Sequence, residues 1–363
     1  MDDLCQKVWN GERISEAEAF ELYHLPLQQL GALADRRRRL AKADAYDGQG
    51  NDIVTYIVDR NINYTNVCNV YCKFCAFWRS EKQADAYVIT HDEIDKKIEE
   101  TVALGGTQIL MQGGHHPKLD KQWYLDLLSH IRDTFPQINI HAFSPSEFIH
   151  FRDVFDEPLE TLIKDFRDAG LGSIPGGGGE ILVDEVRNRI APLKAMSDDW
   201  LEVMEIAHQL DMATTATMMF GHVESIEDRV EHLDRVRRQQ DETGGFTAFI
   251  AWTFQAENTK LKAPTVGANE YLRMQALSRI YLDNVPNIQS SWVTQGLEIG
   301  QVALKYGAND LGSIMIEENV VSKAGTTFRM GVADMQRLIE GIGHTARQRD
   351  NWYRLVDGQA AAA

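Results

Sequence analysis

The sequence predicts an α/β protein, a (β/α)8 barrel of the TIM type with helical N- and C-terminal extensions, and three observations carry that prediction. Short β-branched runs alternate with amphipathic helical patterns. Eight such runs can be counted in the 363-residue chain. No Pro/Ser-rich linker or low-complexity segment divides it. Strict alternation implies parallel strands joined by right-handed crossovers, and eight units fit a closed barrel better than an open doubly wound sheet. The domain reading is a helical extension over 1–50, the barrel over 51–332, and a C-terminal helix and tail over 333–363.

The first strand is read at Tyr56–Asn66 and ends at a cysteine loop. A helix follows, opened by the capping box Thr90-x-x-Glu93, with Ile94, Ile98 and Val102 four residues apart and Gly105-Gly106 as its stop. Thr107–Gln112 is the second strand, followed by a helix from Asp120 to Phe135 that Pro136 closes. Ile138–Ser144 is the third, with a helix over Pro158–Ala169. A short strand at Gly172–Ile174 runs into the glycine loop Pro175-Gly176-Gly177-Gly178-Gly179. Helix Ser197–Leu210, strand Met212–Phe220, helix Ser225–Gln240 and strand Phe246–Phe254 come next. Helix Ala268–Asn284, strand Ile288–Thr294, helix Gly296–Tyr306 and strand Leu311–Ile316 complete the series. A last helix is expected over about 333–357, with Gln359–Ala363 as a tail.

Composition bounds the function. With 37 Lys+Arg against 54 Asp+Glu the net charge is −17, which argues against a nucleic-acid partner, since a phosphate backbone needs a basic face. The one dense basic run, Arg36-Arg37-Arg38-Arg39, is read as a solvated helix face. No stretch approaches the apolar length of a membrane span, and Met1-Asp2-Asp3-Leu4 carries no signal-peptide pattern. A cytoplasmic protein without a membrane partner is the expectation.

Three of the four cysteines, Cys68, Cys72 and Cys75, lie within eight residues, while Cys5 is alone near the terminus. A disulfide framework spreads its cysteines through a small secreted chain. Thiols clustered in a large chain read instead as metal ligands or redox groups. A C-x3-C-x2-C run after a strand can ligate three corners of a [4Fe–4S] cube. With no fourth cysteine nearby, one iron keeps an open position, whereas an electron carrier would use four thiolates. The alternative is zinc completed by His91, His115 or His116.

Cys68-Asn69-Val70-Tyr71-Cys72-Lys73-Phe74-Cys75 resembles the cluster motif of the radical S-adenosylmethionine (SAM) superfamily, with Phe74 in its aromatic position. In that superfamily the open iron is chelated by SAM, and an electron from the cluster cleaves the sulfonium to a 5′-deoxyadenosyl radical. A finer resemblance rests on Asn63-Tyr64-Thr65-Asn66, Cys75-Ala76-Phe77, Gln112-Gly113-Gly114-His115-His116-Pro117 and Pro175 to Glu180. It extends to Met218 to Glu224 and Trp252-Thr253-Phe254-Gln255. These resemble the subfamily of futalosine-route menaquinone enzymes and deazaflavin synthases. Phe77-Trp78-Arg79, the doubled histidine and the four-glycine loop tilt the resemblance toward its cyclase branch rather than toward the aminofutalosine branch.

The resemblance implies a [4Fe–4S] cluster on Cys68, Cys72 and Cys75, with SAM as the second cofactor. Gln112-Gly113-Gly114 resembles the family's site for the methionyl amine, where absent Cβ atoms let the backbone approach a ligand; a plain tight turn is the other reading. Glu180 is implied in binding the SAM ribose or amine, with Arg189 offering a fork for its carboxylate. An ordinary Glu180–Arg189 ion pair is the alternative. No Gly-Lys-Ser/Thr follows the glycine loop, so it is not a phosphate loop. His116 is the candidate catalytic residue, contacting the reacting ribose or benzoate and able to move a proton near neutral pH. His115 points elsewhere if the segment is extended, and His222 and Glu224 are similar candidates. Gly343 to Asp350 resembles the family's C-terminal pattern and is assigned only packing over the barrel. The implied substrate is the small molecule dehypoxanthine futalosine: hydrogen leaves ribose C4′ and the carbon radical attacks the benzoate ring. The implied partner is an electron donor such as flavodoxin or ferredoxin. A non-catalytic metal-binding barrel is the alternative of a different class.

Overall fold

The computed structural model describes residues 3–326 and 328–356; the expected tail at Gln359–Ala363 lies outside them. Nine strands are described: β1 Ile53–Ile57, β2 Asp59–Ile62, β3 Gln108–Met111, β4 Asn139–Ala142, β5 Thr214–Phe220, β6 Phe246–Thr253, β7 Ile288–Gln289, β8 Asp310–Ser313 and β9 Thr345–Gln348. Every strand pairing is parallel. β2, β3 and β4 pair in order, and the ring continues through bridges His141↔Ser173 and Ile174↔Thr214 into β5. From β5 it runs through β6, β7 and β8 to β1, which is covalently continuous with β2 through Val58. Backbone pairing thus closes the barrel.

Several expected elements differ. The first strand starts at Ile53 and is interrupted at Val58, because its outer edge changes partner: β1 pairs β9, while β2 pairs β3. The stretch 172–174 contributes only bridges. The strand expected over Ile288–Thr294 stops after Gln289 and becomes a helical turn at Trp292–Gln295. Side chains capture the backbone there: Ser291 N donates to Tyr271 Oη at 2.7 Å, and Trp292 Nε1 donates to the Ser313 carbonyl at 2.9 Å. Helices Pro145–Phe155 and Asp184–Ile190 were not expected. The C-terminal helix is Val332–Glu340 rather than 333–357; the Gly341-Ile342-Gly343 break releases the chain into β9. The segment assigned mere packing is therefore barrel wall beside β1.

The arginine run is not a solvated face. On helix Leu27–Lys42, Arg38 is buried, held 3.0 Å from Asp35, and Arg37 is buried with Nη1 on the Glu12 carbonyl. Only Arg39 is well exposed. Arginine's long stem lets the helix seat against the barrel while the guanidinium finds oxygen partners. Lys42 reaches Asn287 Oδ1 at 2.9 Å, beside the start of β7. Cys5 is buried in helix Asp3–Trp9.

Strand alternation divides apolar from polar residues. On β3, Ile109 and Met111 are fully buried under the helices, whereas Gln108, Leu110 and the following Gln112 face the lumen. Outside β4, Tyr124, Phe143, Phe148, Phe151 and Phe166 form one aromatic cluster, with ring centroids as close as 4.6 Å. Such pairs add about 0.5–1.5 kcal/mol each beyond area burial, which stiffens the region that carries the site. No helix among the described residues is long and apolar enough to cross a membrane.

Candidate active site

The cysteine loop leaves β2 through Asn63 to Val67 and is pinned at both ends. Cys68 N donates to the Arg79 carbonyl at 3.0 Å, and Arg79 N donates to the Asn66 carbonyl at 2.7 Å. The Arg79 guanidinium returns onto the carbonyls of Ala76, Phe77 and Trp78 at 3.2, 3.3 and 2.9 Å. Burial pushes the Cys72 thiol up to about 12, against the charge of Lys194. Burial also raises Cys75, while backbone N–H groups of Phe77 and Trp78 favour its thiolate. Amide donors aimed at a buried sulfur suit a cluster ligand, which must be deprotonated and is tuned by such bonds. Each thiolate of a [4Fe–4S] cube holds a different iron, so the cube requires no convergence on one point. The zinc alternative does require it, and among the described residues no group of three or more His, Cys, Asp or Glu converges on one ion.

Gly113 and Gly114 are more than a tight turn. A Cβ on Gly113 would lie 2.5 Å from the Tyr64 ring, and one on Gly114 would lie 2.2 Å from the Val67 carbonyl oxygen and 3.0 Å from Cys68 Cβ. The doublet lets the end of β3 lie directly against the start of the cysteine loop. Glu147 locks this contact: Oε1 accepts from Tyr64 Oη at 2.7 Å and from Gly113 N at 3.0 Å, and Oε2 accepts from Ser144 Oγ at 2.7 Å. Sequence reasoning missed Glu147 because its partners are remote; the only local signal was Ser144-x-x-Glu147.

The glycine loop forms the next wall. Arg187, fully enclosed, donates to the carbonyls of Gly178, Gly179 and Ala195 at 3.0, 2.8 and 2.9 Å. A Cβ on Gly177 would fall 2.2 Å from Gln112 Nε2, so the loop touches the end of β3. Glu180 is buried, but Arg189 is not its partner. Lys194 Nζ lies 2.8 Å from Glu180 Oε1, and Arg187 lies 3.8 Å from Oε2. Arg189 is exposed and donates to the Val223 carbonyl at 3.1 Å. Lys194 also sits over the Phe74 ring at 5.3 Å. Burial would lower its pKa, but the charges of Glu180 and Cys72 outweigh that and raise it, so a buried ammonium joins the cluster loop to Glu180.

Gln112, Gly176 to Gly178 and Glu180 come together on the wall of a cavity of about 310 Å³ inside the barrel. His116 is not on that wall: its Nδ1 accepts from Lys118 N at 3.2 Å. His115 is not on it either: its ring is enclosed, 5.0 Å from that of His150. His222 and Glu224 cap the turn after β5, 3.0 Å apart and tied to Arg229.

The lumen is polar where a barrel core is usually filled by branched apolar residues. Asp59 and Asn61 from β2, His141 from β4, Thr215 and Thr217 from β5 and Gln289 from β7 line it. Burial raises the Asp59 pKa, against hydrogen bonds from Ser313 and Gln108. Burial lowers His141 to about 3, leaving a neutral ring whose Nδ1 meets Ser173 Oγ at 2.7 Å. The floor comes from the C-terminal segment: Arg349 grips Asp310 with bonds of 2.6 and 3.0 Å and stacks 3.9 Å over Tyr353. Among the described residues, Asn61 Oδ1 and Tyr353 Oη meet no hydrogen-bond partner.

The Radical SAM superfamily model matches residues 62–236, and the CofH/MqnC C-terminal region matches 243–361. The chain is 43% identical to the cyclic dehypoxanthine futalosine synthase of Halalkalibacterium halodurans, over 98% of this chain and 95% of that protein. It is 47% identical to the enzyme of that name from Streptomyces coelicolor, over 97% and 88%. The aminodeoxyfutalosine synthase of Thermus thermophilus is 36% identical over 97% and 95%. Among solved structures, methylornithine synthase superposes with a TM-score of 0.72 at 17% identity, covering 95% of this chain and 97% of that one, a likeness of fold alone. Matched over nearly its whole length, the chain belongs to the radical SAM superfamily, in the group that carries the CofH/MqnC C-terminal region.

Proposed function

We propose that the protein cyclises dehypoxanthine futalosine by radical chemistry, using a [4Fe–4S] cluster and SAM. The observation that carries the reading is full-length identity of 43% and 47% to two cyclic dehypoxanthine futalosine synthases, against 36% to an aminodeoxyfutalosine synthase. Cys68, Cys72 and Cys75 would hold the cluster, and Gln112, Gly113, Gly114 and Glu180 would border SAM, with Lys194 in the cationic role first given to Arg189. When bound, these cofactors supply a 5′-deoxyadenosyl radical able to remove the C4′ hydrogen.

The chain's own work is positioning and protection. The closed lumen holds ribose and benzoate within reach of each other, and its lining keeps bulk water from the radicals. Asn61 Oδ1 and Tyr353 Oη are unpartnered groups available to a polar substrate. Rearomatisation of the benzoate releases a proton and an electron, and the oxidised cluster that Cys68, Cys72 and Cys75 would hold would take the electron back, so that no further oxidant is needed. The wall offers the Asp59 carboxylate, whose pKa burial raises, as the proton acceptor; His141, lowered to about 3, stays neutral, and His116 stands off the wall. The electron donor that primes the cluster is a separate, reducing partner.

The test is anaerobic reconstitution with SAM, dithionite and dehypoxanthine futalosine, followed by mass spectrometry. Deoxyadenosine together with a product two hydrogens lighter is expected. Deoxyadenosine without that product, recovered only with aminofutalosine-pathway substrates, would transfer the protein to the sibling activity. An intact cluster that yields no deoxyadenosine refutes the enzyme reading.

A further inference from the structure

In a chain of net charge −17, the face around the cysteine loop has the opposite character. Lys73, between Cys72 and Cys75, is exposed, and its Nζ reaches the Arg189 carbonyl at 2.6 Å. Its own carbonyl accepts both Lys260 N and Leu261 N at 2.9 Å, which brings the 256–262 turn onto the loop. Lys260 and Lys262 are exposed as well; Lys260 Nζ stands 5.0 Å over the Trp78 ring, and Lys262 Nζ donates to the Thr259 carbonyl at 3.0 Å. Arg189 adds a fourth exposed cation.

Among the described residues, none of these four has a carboxylate within ion-pair distance, whereas other exposed cations such as Lys118, Arg337 and Arg354 do. Of the acids in the cysteine-loop segment, Glu81 is matched with Lys118 and Asp85 with Arg79, each at 2.6 Å, while two exposed acids accompany the four cations, Glu257 in the 256–262 turn and Glu185 one helical turn before Arg189. Tyr71, 45% exposed and edge-on to Trp78 at 5.0 Å, supplies an aromatic anchor at the centre. Cations without an ion-pair partner around the exposed Tyr71, on an otherwise acidic molecule, form a face suited to the acidic patch of a partner protein.

We propose that Lys73, Arg189, Lys260 and Lys262, with Tyr71 and Trp78, are the docking face for an acidic one-electron carrier protein, which delivers its electron here because this face lies directly over the three cluster cysteines. The proposal rests on the radical reading of the cysteine loop. The transfer makes and breaks no bond: the carrier's centre is oxidised by one electron and the cluster reduced by one. Carboxylates ringing the carrier's redox centre would meet the four cations, and this local positive face would orient the encounter of two molecules that are both acidic overall.

The probe is purified flavodoxin, titrated onto the full-length, cluster-loaded protein by surface plasmon resonance at low and high salt. Wild type should bind with an on-rate that falls as salt rises. The doubly reversed Lys260→Glu/Lys262→Glu protein should lose about tenfold or more in on-rate at low salt. Lys96→Glu/Lys164→Glu carries the same charge change on distant exposed helices and should bind as wild type. Equal losses in both pairs, no loss in either, or no binding by wild type would each overturn the proposal. Dithionite separates this failure from that of the function itself. It bypasses docking, so Lys260→Glu/Lys262→Glu should form deoxyadenosine with dithionite at the wild-type rate and with flavodoxin more slowly. No deoxyadenosine from wild type with dithionite would refute the radical reading instead.

Discussion

Gly114→Ala tests whether close approach of β3 to the cysteine loop positions the cluster. The added methyl would stand 2.2 Å from the Val67 carbonyl oxygen, 2.7 Å from its carbon and 3.0 Å from Cys68 Cβ. These are backbone and near-backbone atoms that no rotamer change removes. Val67 is held by Thr65 Oγ1 on its N–H at 3.1 Å, and Cys68 N by the Arg79 carbonyl at 3.0 Å, so the loop must move as a unit. Reaching van der Waals contact requires a retreat of roughly 1 Å. Overpacking of this kind costs about 1–3 kcal/mol of stability. A 1 Å displacement of reacting groups costs on the order of 100-fold in rate. The expected result is a folded protein with a modestly lowered urea midpoint and about 100-fold slower deoxyadenosine formation with dithionite. Gly267→Ala, whose methyl would meet nothing within 4 Å, is the companion variant. A Gly114→Ala protein with wild-type iron content and a rate within about twofold of wild type would refute the reasoning.

Arg349→Met strands the Asp310 carboxylate, which is fully enclosed, and should cost about 3–5 kcal/mol in urea unfolding; a loss well under 1 kcal/mol would show that the floor is not held by this pair. Lys194→Met should weaken SAM binding by about 10- to 100-fold in equilibrium dialysis of cluster-loaded protein; unchanged affinity would remove Lys194 from the cofactor wall. Glu224 makes stability depend on acid. Burial would raise its pKa, but His222, Arg229 and the Gly221 N–H outweigh that and hold it at about 2, below the ordinary 4.5. A carboxyl depressed by folding stabilises fully above its unfolded pKa and stops doing so as pH falls through the folded value. Between about pH 4.5 and about pH 2 the loss should therefore approach about 3 kcal/mol. Glu224→Gln should flatten that slope, and an unchanged slope would mean that other carboxyls govern acid unfolding.

The cysteine motif and the α/β alternation were legible because both are local: thiol spacing within one loop, and periods of 2 and 3.6 within one element. The helices opened by Thr90 with Glu93 and by Asp120 were placed within a residue or two. Features that depend on distant partners were not. Lys194 reads as a surface lysine until Glu180 and Cys72 enclose it, and Arg349 reads as part of a tail until Asp310 meets it. His115 and His116 could not be told apart by alternation, since both are buried and neither lines the cavity. One overlooked signal was available: Asp59 and Asn61, then Gln108 and Gln112, then Thr215 and Thr217 recur at a spacing of two or four on barrel strands. Polar residues in that register mark an open lumen rather than a packed one.

The pairing of β9 with β1 also has a consequence in time. Ile53 and Thr345 lie about 290 residues apart in the chain, so this closure is among the most sequence-distant contacts in the molecule. Contacts of that kind form late, after local units have consolidated, because the loop entropy must be met before the contact returns anything. Most of the barrel wall, with the cysteine loop on it, can therefore assemble while the lumen is still open below. Arg349, Asn351 and Tyr353 then arrive as the last pieces of the chamber. Slow refolding that ends in the gain of Tyr353 burial, well after the cysteine loop is protected, is the kinetic signature this topology should leave.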